Sequence, residues 1–351
     1  MLKKKYITVL ALTVLGLLST ACSSAPVSPA QNAKPSAPAQ ATATKPAVTA
    51  IKFGTAPGLK PLAERTGKVS KVYFTRDISG TGLKKIYDKI NQDMVGKIAV
   101  KLHTGEPNGP YILDRTMVKN FLSGIPNSTI VECNVLYPSP RQNTQGHRET
   151  LKTNGWTFCP VDIMDADGTA MLPIKGGKQL TEVSVGSHEL NYDSMLVLTH
   201  FKGHTMGGFG GSIKNIGIGC ADGNIGKLMV HGKGWPLGET FLERIVESAK
   251  GTVDHFGKHI AFINVMNNLS VSCDCEGTHA NKPEMKDIGI VGSTDIVAAD
   301  QAAVDIIYGV DDGQSHALKE RIESRKGLRQ LTYGKELQLG NDKYEFIDLD
   351  K

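Results

Sequence analysis

The sequence predicts an α/β fold of parallel or mixed sheets with crossover helices, arranged as two related lobes. Three observations carry this: apolar runs of strand length, amphipathic segments of helical period between them, and regular alternation of the two. "KVYFT" (71–75), "KIAVKLH" (97–103), "STIVECN" (128–134) and "FCPVDIMD" (158–165) read as buried strands. Between them, "GLKKIYDKINQDMV" and "YILDRTMVKNFLSGI" place apolar residues at helical spacing. "RQNTQGHRETLKTNG" reads as a loop entering a helix that stops at Gly155. A second set follows: the strand "SMLVLTHF" (194–201), the helix "GETFLERIVESAK", then the strands "HIAFINVMN" (259–267) and "DIGIVGS" (287–293). The helical "AADQAAVDIIYGV" and a charged helix near Leu318–Arg325 complete it. The two sets suggest a lobe boundary near 190–260 within a domain over 51–351, and no repeat of fixed period is present.

The N-terminal region reads differently. Lys3, Lys4 and Lys5 precede the apolar run "YITVLALTVLGLL", and "LLSTAC" ends in Cys22. Residues 1–21 therefore read as a signal peptide. The end resembles a bacterial lipobox, with Cys22 as the lipidated residue, although Ser19 stands where leucine is usual. Residues 22–50 are rich in Ala, Pro, Ser, Thr and Gln, too apolar-poor to fold, and read as a disordered tether. The expectation is an exported protein, lipid-anchored to the bacterial cell envelope. The formal charge of +5 shows no basic stripe with interleaved aromatics, so nucleic acid is not an expected partner.

Beyond Cys22 the cysteines are Cys133, Cys159, Cys220, Cys273 and Cys275. An odd number cannot all pair within one molecule, so at least one is free, buried or bound to something. "SVSCDCEG" places Cys273 and Cys275 either side of Asp274. On a strand, both thiols would share a face and Asp274 would point away. Cys133, at the end of another strand, is then the candidate third sulfur, with His200 or His204 completing four metal ligands. Sulfur with imidazole suits zinc or an iron–sulfur centre. A disulfide or two free thiols are the plainer alternatives. Cys159, after Phe158, reads as core.

Chemistry-bearing residues fall at strand ends: His103, Cys133 with Asn134, and His200. In open parallel sheets, ligands bind beyond the carboxyl ends of strands. "HFKGHTMGGFGGSIKNIGIGC" (200–220) adds His204, Lys214 and six glycines between Gly203 and Gly217. Such a glycine cluster either lets the backbone turn where no side chain fits or lets it approach a ligand closely. Gly207, Gly208, Gly210 and Gly211 are read as ligand-binding on the second account, beside His204 and Lys214. A phosphate loop is excluded, since the G-x-x-x-x-G-K-[ST] spacing is absent. His147 with Arg148 in "TQGHRE" is a candidate carboxylate binder, or a surface pair.

These segments carry a resemblance. "KLHTGEP", "VECN", "PVDIMDADG", "LTHFKGHTMGGFGGSIKNIGIGCA", "NVMNNLSVSCDC" and "DIGIVGSTDIVAADQA" resemble the bacterial and archaeal family of domain of unknown function 362. Its members are described as iron–sulfur-centre proteins. "HTMGGFGGSIK" is also similar, more distantly, to a segment of the nickel-pincer lactate racemases, with the second glycine pair one position earlier. That likeness implies Lys214 as the cofactor anchor, His231 as the nickel ligand, and His204 with His147 as an acid–base pair. "LHTGEP" stands where those enzymes carry an arginine-bearing segment, which counts against racemase-like activity on a small hydroxy acid. Export of an unfolded chain counts against a nickel-pincer cofactor.

The functional expectation is an envelope-anchored enzyme or redox protein, metal- or iron–sulfur-dependent, working on a small-molecule ligand at the glycine-rich loop. Its pocket is placed around His147, His204, Lys214 and His231. The alternative is a solute- or metal-binding lipoprotein without turnover.

Overall fold

Two strand sets are joined through one central strand in the computed structural model of the chain, which describes residues 50–351. The expected signal peptide, Cys22 and the tether up to residue 49 lie outside the described residues. In chain order the elements are β1 (Ser70–Thr75), α1 (Gly80–Ile90), β2 (Ile98–Lys101), α2 (Arg115–Leu122), β3 (Ser128–Glu132), α3 (Thr144–Thr153) and β4 (Val161–Ile163). There follow β5 (Thr169–Pro173), β6 (Glu182–Gly186), β7 (Ser194–His200), β8 (Lys202–His204), β9 (Gly208–Gly210), α4 (Ser212–Gly219), α5 (Ile225–His231) and α6 (Glu239–Phe256). The last are β10 (Ile260–Met266), β11 (Gly289–Ser293), α7 (Ile296–Gly309), α8 (His316–Ser324), α9 (Arg329–Glu336) and β12 (Tyr344–Asp348).

Eight strands form one sheet in the order β12-β1-β11-β10-β7-β2-β3-β4. Only β11 runs antiparallel to its neighbours, β1 and β10; the other adjacent pairs are parallel. The mainly parallel α/β fold is as the sequence predicts. β7 pairs with β2 of the first set and β10 of the second, so the two strand sets share one sheet. Every residue of β7 and β10 is buried, which is why both read as continuous apolar runs rather than alternating ones. One core face carries α4, α6 and α7, with Ile213, Ile216, Leu242, Ile245 and Val304. The opposite face carries α1 and α2, with Leu83, Ile86, Val118 and Phe121. Among the described residues no helix is long and apolar enough to cross a membrane.

From β2 the chain moves outward to β3 and β4, then returns to β7 and continues the other way to β10. The order therefore reverses between β2 and β7, and α2 and α4 lie on opposite faces there. Such a switch point opens a crevice beyond the strand carboxyl ends.

The glycine-rich segment serves packing more than ligand approach. A β-carbon on Gly203 would lie 2.5 Å from the Val271 carbonyl oxygen, and one on Gly208 (φ 80°) 2.8 Å from the Gly327 Cα. On Gly211 it would lie 2.5 Å from the Asp300 carboxylate. That carboxylate accepts the backbone N–H groups of Ser212 (2.7 Å) and Ile213 (2.9 Å), capping α4 from 88 residues away. Burial raises the Asp300 pKa to about 6. Of the four candidate ligand-binding glycines, only Gly210 and Gly211 border a small cleft, with His103, Lys214 and Cys273.

Among the described residues Glu189 is fully buried with no ion pair, and only the Thr252 hydroxyl and the Cys220 thiol lie near its carboxyl group. Burial raises its pKa to about 7. A raised folded-state pKa means stability that is full below the ordinary carboxylate pKa and lost as pH rises through about 7. Glu189→Gln is therefore expected to match the wild type at pH 4.5 and exceed it by on the order of 3 kcal/mol at pH 8. Thermal melts of both proteins at the two pH values check this; equal stability at pH 8 refutes it.

Candidate active site

The wall of the crevice begins with charges that β2 and β3 carry inward. Lys101 and Glu132 are buried, a costly arrangement unless each is paired. The Lys101 ammonium donates to Glu132 Oε2 (2.9 Å), the Leu102 carbonyl (2.9 Å) and Asn215 Oδ1 (3.2 Å). Arg141, buried in the turn after β3, donates to Glu132 Oε1 (3.0 Å) and Glu106 Oε1 (3.1 Å). Burial alone would raise the Glu132 pKa, but Lys101 and Arg141 hold it well below the ordinary carboxylate value. Lys101, Glu132 and Arg141 are not among the residues that the sequence motifs mark. Charged residues inside "IAVKL" and "IVECN" were the available signal, since buried charges come in pairs.

His147 takes part in this network rather than in an open pocket. Its Nε2 accepts from Arg141 Nε (3.2 Å) and its Nδ1 faces Asn134 Oδ1 (3.2 Å). Burial and Arg141 depress its pKa. With both ring nitrogens engaged, His147 has no lone pair free for proton transfer. Arg148, next along α3, is exposed. His103 is half-buried, and desolvation followed by Arg141 lowers its pKa to about 3; its Nδ1 accepts the Gly105 N–H (3.0 Å).

A cavity of about 310 Å³ opens beside these groups, lined among others by His204, Lys214, His231 and Cys275. Three of the four predicted catalytic residues thus meet at one cavity, and His147 stands behind Arg141. Burial, then His204 and Lys214, lower the His231 pKa to about 3; its ring stacks on Phe241 and lies tilted against Trp235.

Cys273 and Cys275 converge, but through a different local structure from the expected strand. Cys273 is the N-cap of a short 3₁₀ segment, Asp274–His279. Glu276 closes a capping box by accepting the Cys273 N–H (2.9 Å), while Cys273 Sγ accepts the Cys275 N–H (3.4 Å). The spacing Cys273-x-x-Glu276 is the sequence signal for this turn. Asp274 points away to Lys202 (2.9 Å) and His200 (3.1 Å), which keep its pKa low against the effect of burial.

Around Cys273 Sγ, the Lys214 ammonium lies at 3.7 Å and the Cys275 N–H at 3.4 Å, with His204 and the Cys275 thiol each offering an atom within 4.8 Å. The Cys275 hydrogen bond leads in lowering the Cys273 pKa well below that of an ordinary thiol, and Lys214 and His204 lower it further against burial. The same hydrogen bond and burial push Cys275 up. Burial would lower the Lys214 pKa, but Cys273, Cys275 and Asp274 raise it. Burial and Lys214 lower His204.

His204, Cys273 and Cys275 each offer a ligand atom within 4.8 Å of the others, a candidate metal-ligand group. Two predicted ligands stand outside it. The Cys133 thiol donates to the Cys220 carbonyl (3.3 Å), and each His200 nitrogen faces an oxygen, Asp274 or the Asn267 carbonyl (2.8 Å). The five described cysteines are free thiols.

No curated protein matches the chain. Among solved structures it is similar to a lactate racemase apoprotein from Thermoanaerobacterium thermosaccharolyticum, at 10% identity and a TM-score of 0.41, over 73% of this chain and 61% of that one. It is also similar to a protein from Thermotoga maritima, at 10% identity and a TM-score of 0.34, over 69% and 57%. The chain thus spans about three fifths of the length of these structures, and likenesses at this level do not bear on the site. The family model for Domain of unknown function (DUF362) matches residues 98–305, more than half of the sequence and every strand lining the crevice. The chain belongs to the DUF362 family.

Proposed function

We propose that this chain is an exported, lipid-anchored redox enzyme whose centre is the Cys273–Cys275 dithiol, working on a small molecule in the adjoining cavity. One observation carries the reading: the Lys214 ammonium and the Cys275 N–H both point at a single sulfur, Cys273 Sγ, with His204 and the Cys275 thiol within 4.8 Å of it. Such donors stabilise a thiolate, the reactive form of cysteine. Oxidation of the pair forms one S–S bond and releases two protons and two electrons to a small-molecule disulfide in the cavity, which leaves as two thiols.

A metal centre is the second reading, favoured by the 4.8 Å grouping of His204, Cys273 and Cys275. The two sulfurs suit zinc or iron. His204 suits them less well: its Nδ1 accepts the N–H groups of Gly207 (2.8 Å) and Met206 (3.3 Å), so the neutral ring carries its proton on Nε2. A ligating histidine ordinarily donates through its second nitrogen, the opposite polarity. Metal analysis of protein purified without a histidine tag, paired with thiol counting, separates the readings. The redox reading expects metal-free protein that gains a Cys273–Cys275 disulfide with an oxidised small thiol; near-stoichiometric zinc or iron selects the metal reading.

The anchoring part of the proposal rests on Cys22. A Cys22→Ala variant is expected to lose labelled fatty acid and leave the membrane fraction; unchanged fractionation would count against it.

A further inference from the structure

The charges on the cavity wall do not balance. Lys101, Arg141, Lys214 and Lys227 line it; Glu132 and Glu106 answer Lys101 and Arg141 and the Cys273 sulfur answers Lys214, which leaves Lys227 without an ion pair among the described residues. Lys101 and Arg141 each spend three hydrogen bonds within the protein. Lys227 donates once, to the Ala221 carbonyl (2.5 Å), and Lys214 once, to Cys273 Sγ (3.7 Å). An ammonium has three donors, so each of these buried lysines keeps two N–H bonds unspent. Neighbouring carboxylates are used elsewhere: Asp165 accepts from Asn134 and Gly223, and Asp222 from Asn224, Ile225 and Gly226.

A second, independent observation points to the same place. His231, one helical turn beyond Lys227 on α5, lines the cavity, and its buried Nδ1 has no hydrogen-bond partner. The remaining wall is apolar, with Val135, Leu136, Met206 and Trp235. Buried cations with unspent donors are costly, and an incoming oxyanion offsets that cost with charge-assisted hydrogen bonds.

We infer that the cavity receives a small organic anion, its oxyanion end held by Lys227 and Lys214 and its body by the apolar wall. The inference names the substrate class of the cavity and so rests on the reading of that cavity as the working site.

Calorimetric titration of the full chain with benzoate, and with benzyl alcohol as the neutral analogue of similar shape, tests it. Benzoate is expected to bind about tenfold or more tightly than benzyl alcohol, the scale of hydrogen bonds to a charged group. Lys227→Met is expected to remove most of that preference, and Lys227→Arg to retain it. Equal binding of the two compounds by the wild type, or an undiminished preference in a folded Lys227→Met protein, overturns the inference. If Lys227→Met does not fold, the wild-type comparison and Lys227→Arg decide. The Cys273→Ser/Cys275→Ser double variant separates this inference from the redox reading. Anion preference without a dithiol couple in the wild type sinks only the redox reading; a couple without anion preference sinks only this inference.

Discussion

Replacement of Cys273 or Cys275 by serine is expected to abolish the two-electron couple of the protein entirely, because a disulfide needs both sulfurs. Lys214→Met should leave the couple in place and make it less oxidising. The reason is electrostatic: Lys214, 3.7 Å from Cys273 Sγ, stabilises the reduced thiolate, and what stabilises the reduced form raises the reduction potential. A tenfold loss of thiolate stabilisation corresponds to a fall of about 30 mV. Titration against a glutathione redox buffer, read by mass spectrometry of the 273–275 peptide, measures both effects. A couple that persists in either serine variant, or a potential that rises in Lys214→Met, would refute the dithiol centre.

Glu132→Ala should be the most destabilising substitution in the site. Glu132 faces Lys101 at 2.9 Å and Arg141 at 3.0 Å, all three buried, so its removal strands two cations away from water. Breaking a buried pair by removing one partner costs about 3–5 kcal/mol. The pH dependence has a definite sign. The folded-state pKa of Glu132 is depressed, so its stabilisation is present above the ordinary carboxylate pKa and lost as pH falls through the folded value. The gap between wild type and variant should therefore be widest near neutrality and narrow in acid. Chemical denaturation at pH 7 and below pH 4 checks it; a variant within about 1 kcal/mol of wild type at pH 7 would mean that the network is not structural.

The strands of the sheet were legible because burial on both faces leaves a plain record: β7 and β10 are unbroken apolar runs, and the helices α1, α2, α6 and α7 follow with helical spacing. The positions after β2 and β3 and at the end of β7 were legible for the same reason. α4 was not. "GGSIKNIG" has poor helix propensity, and its N-terminus is satisfied by Asp300, which no local window contains. The edge strand β12, largely half-exposed, and the brief, partly glycine hairpin β8–β9 were equally silent.

Within the site, local chemistry and long-range placement divide cleanly. Sequence alone placed Cys273 and Cys275 together with Asp274 facing away, because residues so close in the chain stay neighbours whether on a strand or in a capped turn. It also marked His204, Lys214 and His231 as residues in or near the glycine-rich segment. Which residues stand opposite them was decided only by the fold. Cys133 and His200 were drawn off by the Cys220 carbonyl and Asp274, and His147 was locked by Arg141 and Asn134. Lys101, Glu132 and Arg141 became a charge network because β2 and β3 pair side by side beneath α4. Hydrogen bonds and ion pairs act over a few ångströms, and only the folded sheet brings residues so distant in sequence within that range.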